Sequence, residues 1–242
     1  YFNFADCSET CNPVPTLFWL GKQYHNDSFI TENHRLLKQS QTKSAYCDAF
    51  NLVWYVPENA AIAQLPLNKN FSDINLGVFR SEWGNPKATF IAFKGGFNQA
   101  DHAHLDAGSF VLDMKGVRWA VDFGRDSYDL PEYFNRSDGG GRWNYFRLNN
   151  KSHNTLVLND SLQKVLATAR ITRFEKSGKD AVAEIDMSEM YAQHANSVIR
   201  TIKLIDNTKV IIADKIEWAG DEKLVQWQIL TDAEITLNGN KA

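Results

Sequence analysis

The chain has 242 residues, is 43% hydrophobic and 12% aromatic, and carries a formal net charge of −3. That is enough apolar material for one large domain or two small ones. With 26 Lys and Arg against 29 Asp and Glu, and no basic stripe, nucleic acid is excluded as a partner; a polyanion met by a local cluster of Arg and His is not. No apolar run reaches the length that spans a membrane, so no membrane partner is expected. The 7 Trp, 8 Tyr and 15 Phe serve core packing first and, where exposed, suit sugar binding.

Cys7, Cys11 and Cys47 have no histidine at zinc-finger spacing. Cys7 and Cys11 are near enough in sequence to bridge, and the odd count leaves one thiol over or all three reduced. The chain opens on Tyr1 rather than Met and shows no signal peptide, as expected of a processed or trimmed form.

Asn12-Pro13 reads as a helix start ahead of Thr16 to Tyr24. Asp27 or Ser28 caps a second helix carrying Phe29, Ile30, Leu36 and Leu37. Tyr46, Phe50, Val53 and Trp54 form a third helical stripe that ends before Pro57. Residues from Glu58 to about Asn75 read as linker.

From Val78 onward the pattern turns to short β segments: Ala88 to Phe93, Ser109 to Met114, Val117 to Phe123 and Asn154 to Leu158, then Ala181 to Met187, Ser197 to Ile205, Val210 to Trp218 and Leu224 to Leu230. Turn signals at Lys115-Gly116, Asp206-Asn207 and Gly220-Asp221 separate them. Strands joined by short turns, without helices between, predict a mainly β protein: an antiparallel β-sandwich preceded by a short α-helical segment. The division expected is a helical segment and linker over 1–77 and a sandwich over 78–242. Asn238-Gly239 signals a hairpin with only three residues after it, so the sandwich is expected to be truncated at its C-terminus.

The chemistry concentrates in Lys94-Gly95-Gly96 through Gly108. His102 and His104 are two apart, which in an extended segment puts both imidazoles on one face, where they share a metal or divide between metal and ligand. Asp122 closes the strand Trp119-Ala120-Val121-Asp122, and the Lys115-Gly116 hairpin brings that end toward His104. His153 starts another strand in Ser152-His153-Asn154-Thr155-Leu156. Two imidazoles, one carboxylate and a water make a tetrahedral zinc set.

Taken together, HAHLDAGSF, RWAVDFG, the group Arg142, Trp143, Tyr145 and Arg147, then SHNTL and Gln163 resemble the heparinase II/III-like family of polysaccharide lyases over roughly residues 78–235. In that family an α/α toroid precedes an antiparallel β-sandwich. The resemblance implies that His104, Asp122 and His153 hold a structural zinc ion and that His102 faces the cleft between domains. It also implies an acidic polysaccharide substrate and a periplasmic or secreted location. The family's catalytic tyrosine, and a His or Asn that helps neutralise the substrate, come from the toroid. No matching motif stands in residues 1–77, which read as the toroid's last helices, so residues 1–242 by themselves are expected to be inactive.

Such lyases cleave at a uronic acid by β-elimination. The C5 proton is acidic enough to remove only when the neighbouring carboxylate is neutralised, so donors must meet that carboxylate. His102 suits either task, donor or base. Tyr128 and Tyr133 follow the Asp122-Phe123-Gly124 strand end, and we assign Tyr133 to proton transfer and Tyr128 to hydrogen bonding with sugar. Arg142 and Arg147 can hold sulfates or carboxylates bidentately, behind a glycine loop at Gly139-Gly140-Gly141. Two other readings compete: a non-catalytic carbohydrate-binding sandwich with a structural zinc, and a cupin-like metal oxygenase, which also uses an HxH pair but accounts poorly for the early helices and the SHNTL run.

Overall fold

The computed structural model describes residues 2–39, 48–58 and 65–238. The chain divides into two compact units: residues 9–66, and residues 2–8 together with the chain from Leu67 onward.

The smaller unit is helical. Helix α1 spans Thr16–Tyr24 and stops at His25, whose φ of 50° is left-handed. Helix α2, Asp27–Gln39, buries Ile30, Asn33, His34 and Leu36, while Phe29 and Leu37 stay half-buried. Asn33 is the polar joint of this unit: its Oδ1 accepts from the Val14 amide at 2.8 Å and its Nδ2 donates to Asn51 Oδ1 at 3.0 Å. Helix α3 is only Asp48–Val53, with Phe50 51% and Val53 72% exposed, so the third stripe is shorter and less buried than its spacing predicts. Tyr46 of that stripe and Cys47 lie outside the described residues, as does Gly239. Cys7 and Cys11 are exposed free thiols.

The larger unit is mainly β and antiparallel. Its strands are β1 Lys69–Phe71, β2 Leu76–Arg80, β3 Phe90–Lys94, β4 Gly96–Phe97, β5 Phe110–Met114, β6 Val117–Ala120, β7 Leu156–Leu158, β8 Thr168–Ser177, β9 Asp180–Asp186, β10 Ala195–Ile205, β11 Lys209–Trp218 and β12 Val225–Trp227. One sheet has the order β1-β2-β3-β5-β6 and the other β11-β10-β9-β8-β4, with β7 and β12 paired separately. Pairing begins at Lys69 opposite Val78, inside the stretch that reads as linker.

Period-two burial explains why these segments face one another. Phe79, Ile91, Phe93 and Phe110 of the first sheet meet Ala183, Ile185, Val198, Ile202 and Leu204 of the second in one core, which also takes Leu156 and Leu158. Each such Phe, Ile or Leu contributes roughly 1.5–3 kcal/mol by leaving water. Strand β11 alternates as its sequence implies: Ile212, Ile216 and Trp218 pack on this core, while Ala213, Lys215 and Glu217 are exposed. The turn between β5 and β6 has positive φ at both Lys115 (56°) and Gly116 (82°), the two-residue hairpin form that matches strand twist. Residues 2–8 belong here because Phe4 packs with Phe90, Ala92 and Val111.

Candidate metal centre and the exposed histidine

Past β4 the chain leaves the sheet and returns only at β5, so residues 98–109 form a turn-rich loop. His102 takes φ of 60°, and the segment is therefore not extended. The two histidines consequently do not share a face. The His102 side chain is 63% exposed and the His104 side chain fully buried. The loop is pinned at its far end by Gly108, whose φ of 85° suits glycine and whose amide donates to Lys94 O at 2.8 Å.

Asp122 lies two residues beyond β6. That strand ends at Ala120 because the Val121 amide turns away to Leu230 O. The Asp122 carboxylate then accepts from the Gly124 amide at 2.8 Å through Oδ1, and its Oδ2 meets His153 Nδ1 at 2.9 Å. His153 follows a single 3-10 turn, Asn150–Ser152, and precedes β7. Its position is set by Asn154, whose Nδ2 donates to Phe110 O at 2.7 Å and Val121 O at 2.8 Å, tying SHNTL to both strands of the hairpin.

The acceptors fix where the protons lie. An ionised carboxylate only accepts, so His104 Nε2–H donates to Asp6 Oδ1 at 2.8 Å and His104 Nδ1 offers a lone pair. His153 donates to Asp122 through Nδ1–H, and its Nε2 lies 3.1 Å from the Arg147 carbonyl and 3.2 Å from His104 Nδ1. Electrostatics agree. Burial pushes the His104 imidazole down and keeps it neutral. Burial also opposes charge on His153, but the Asp122 carboxylate outweighs it and raises His153. Asp122 is correspondingly lowered: burial would raise it, and the His153 charge prevails. His153 Nε2 thus faces two acceptor positions, the Arg147 carbonyl and the His104 Nδ1 lone pair. Two imidazoles on one tetrahedral zinc would stand about 3.3 Å apart, close to the separation seen.

Asp106, Asp122 and His153 are all buried, and each offers a ligand atom within 4.8 Å of the others. This group differs from the predicted trio in holding Asp106 rather than His104. The His153 ring stands between Asp122 and His104, and His104 joins the cluster through that ring. Asp106 Oδ1 accepts from Lys94 Nζ at 2.5 Å, while Oδ2 is buried with no hydrogen-bond partner among the described residues. An orphaned carboxylate oxygen beside the His153 imidazole and a second carboxylate fits a divalent cation.

Four of the five other predicted residues, all but Arg147, gather around Asp6, which is 3% exposed in its side chain. Tyr133 OH donates to Asp6 Oδ1 at 2.7 Å, and Arg142 Nη2 lies 3.3 Å from Oδ2. His102 Nδ1 is 3.2 Å and Tyr128 OH 3.4 Å from Oδ2, with Tyr128 OH 3.3 Å from His102 Nδ1. Burial would raise the Asp6 carboxyl, but hydrogen bonds from His104 and Tyr133 and the Arg142 charge hold it below the usual carboxylate range. Both phenols are raised, by burial first and then by the Asp6 charge, so they remain protonated donors. Tyr133 and Arg142 are each 1% exposed. Arg147 is exposed, reaches the Phe123 and Arg125 carbonyls at 3.4 Å, and lies 5.3 Å over the Phe123 ring. Arg125, which the sequence reading passed over, sits 5.0 Å over the Tyr128 ring.

Residues 63–242 match the family model described as heparinase II/III-like, C-terminal. The chain belongs to the heparinase II/III-like family. No curated protein matches it significantly in sequence. Among solved structures, a heparinase III gene product is similar at 18% identity and a TM-score of 0.63, over 98% of this chain and 32% of that one. Heparan sulfate lyase HepC from Pedobacter heparinus is similar at 20% identity and a TM-score of 0.59, over 89% of this chain and 29% of that one. A further heparinase III gives 15% identity and a TM-score of 0.56 over 90% of this chain and 30% of that one. The heparinase II/III-like chain thus spans about a third of each neighbour's length, and at these identities the likeness speaks for the fold. Among its described residues no helix is long and apolar enough to cross a membrane.

Proposed function

We propose that this chain is the sandwich part of a lyase that cleaves uronic-acid polysaccharide by β-elimination, with His102 at the reacting sugar. One observation carries the reading: an exposed imidazole, paired with the Tyr128 phenol, stands two residues from a fully buried ligand cluster and is hydrogen-bonded to the same carboxylate. A mobile sugar chain can reach His102 and Tyr128, and the cluster below holds both in place.

In the reaction a base takes the C5 proton, the C5–H electron pair becomes the C4–C5 double bond, and the C4–O bond breaks as the leaving oxygen takes up a proton. Negative charge spreads onto the uronate carboxylate as C5 is deprotonated, so donors aimed there lower the barrier. His102 and the protonated Tyr128 fill that part. The exposed guanidinium of Arg147, with Arg125 beside Tyr128, suits carboxylates or sulfates of flanking sugars. Tyr133 and Arg142 serve from beneath, through Asp6, rather than by touching sugar. His104, Asp122 and His153 would hold a zinc ion, with Asp106 as a further oxygen donor. Bound there, zinc supplies a structural tie between the loop before β5, the end of β6 and the start of β7. In this reading residues 9–66 are the end of the family's toroid, and the protein works in the periplasm or outside the cell.

Incubating the full-length protein with heparan sulfate, alginate and related polyuronates, and following absorbance of the unsaturated product, tests the proposal. Cleavage of at least one member is expected. Binding without cleavage across the panel would establish the carbohydrate-binding reading instead.

A further inference from the structure

No sequence motif points to Asp6, yet the side chains of His102, His104, Tyr128, Tyr133 and Arg142 all converge on it. It lies 98 positions from His104, 127 from Tyr133 and 136 from Arg142 along the chain, and it touches all three. The segment carrying it is fixed independently of those contacts. Phe4 is buried against Phe90, Ala92 and Val111, Asn3 Nδ2 donates to Asp122 O at 3.3 Å, and the Asp6 amide donates to His102 O at 3.3 Å. Asp6 therefore meets His104 as a held acceptor, not as a surface side chain that has drifted into range.

We infer that Asp6 is a positioning residue: by accepting from His104 Nε2–H it locks the imidazole in the tautomer that turns the Nδ1 lone pair onto the centre shared with His153. The geometry admits no other assignment of that nitrogen, because the carboxylate has no proton to give. The His104 imidazole is thus backed by a carboxylate that is not itself among the proposed ligands, at 2.8 Å. Such backing raises ligand basicity and fixes ring orientation, and its loss typically weakens metal binding about 10–100-fold. Arg142 and Tyr133 hold the carboxylate in register: Arg142 Nη1 and Nη2 are anchored on Tyr133 O and Ala103 O, both at 2.9 Å. His102 shares Asp6 Oδ2, so one carboxylate touches both the metal-side and the exposed histidine.

The inference rests on the metal reading only for its affinity readout; the tautomer readout stands alone. Two variants, Asp6→Ala and Asp6→Asn, are compared with wild type by zinc affinity in chelator competition and by 15N NMR of the histidine rings in metal-free protein. Wild type is expected to show His104 as the Nε2–H tautomer. Asp6→Ala should lose that signature and bind zinc about 10–100-fold more weakly. Asp6→Asn, which keeps an acceptor without the charge, should keep the tautomer and fall between. If Asp6→Ala does not fold, the intermediate affinity of Asp6→Asn remains the test. Unchanged affinity in Asp6→Asn together with an unchanged tautomer in Asp6→Ala would overturn the assignment. A wild type that binds no zinc but shows the tautomer, lost in Asp6→Ala, would refute the metal reading and leave the role of Asp6 intact.

Discussion

Replacing His102 with alanine in the full-length protein is expected to remove most turnover while leaving metal content and melting temperature unchanged. The side chain is 63% exposed, and its polar contacts, at 3.2 Å to Asp6 and 3.3 Å to Tyr128, lie at the long end for hydrogen bonds. Exposed contacts of this kind add little to stability. In the proposed reaction the imidazole would offer help that grows as charge develops on the uronate carboxylate, worth roughly a hundredfold or more. Because that interaction is made mainly in the transition state, the loss should fall in kcat more than in KM. His104→Ala should fail differently, losing metal and stability first and activity as a consequence. Steady-state kinetics on both variants, beside their zinc content and melting curves, separates the two roles. Unimpaired turnover in His102→Ala would put the reacting centre elsewhere.

The second large effect is on folding. Arg200→Ala is expected to destabilise the larger unit by about 3–5 kcal/mol, the cost typical of stripping one partner from a buried ion pair. Arg200 is fully buried. Its Nε and Nη2 donate to Asp214 at 2.8 and 2.9 Å, and its Nη1 donates to Gly108 O and Asn154 O, both at 2.8 Å. One guanidinium therefore ties β10 to β11, to the end of the histidine loop and to the residue after His153. Alanine leaves Asp214, 8% exposed in its side chain, with Trp227 Nε1 at 3.0 Å as its remaining side-chain donor among the described residues, and leaves both carbonyls without this donor. For a chain of this size the melting temperature should fall by roughly 10 °C. A fall of only 1–2 °C would mean that water replaces the guanidinium without strain.

Much of this architecture was legible in the sequence because it is local. The Lys115-Gly116 hairpin, the alternation of β11 and the helix over Thr16–Tyr24 follow from neighbouring residues, and each formed where its pattern lies. Strand β8 escaped because a register shift between Ile171 and Arg173 breaks its period of two, and Ala169 is its only buried residue. Strands β6 and β12 came out shorter than their apolar runs, since Val121 and Leu230 bond each other outside the ladders. In the site, the division between His102 and His104 came from the family resemblance, whereas the extended-strand argument, which put both imidazoles on one face, does not hold, because His102 sits in a left-handed turn. Asp106 stood inside the HLDAGSF run at the same two-residue spacing from His104 and could have been weighed as a ligand. Asp6 could not, since nothing local marks a contact made across more than ninety residues.

The proposed lyase half-site stands on a divalent ion in the buried cluster beneath His102. Elemental analysis of purified protein, dialysed against chelator, reloaded and desalted, tests it most directly when wild type and His153→Ala are run side by side. About one equivalent of zinc is expected in wild type and none in His153→Ala, with a lower melting temperature in the variant. Metal-free wild type, or a His153→Ala variant that keeps its zinc, would contradict the account.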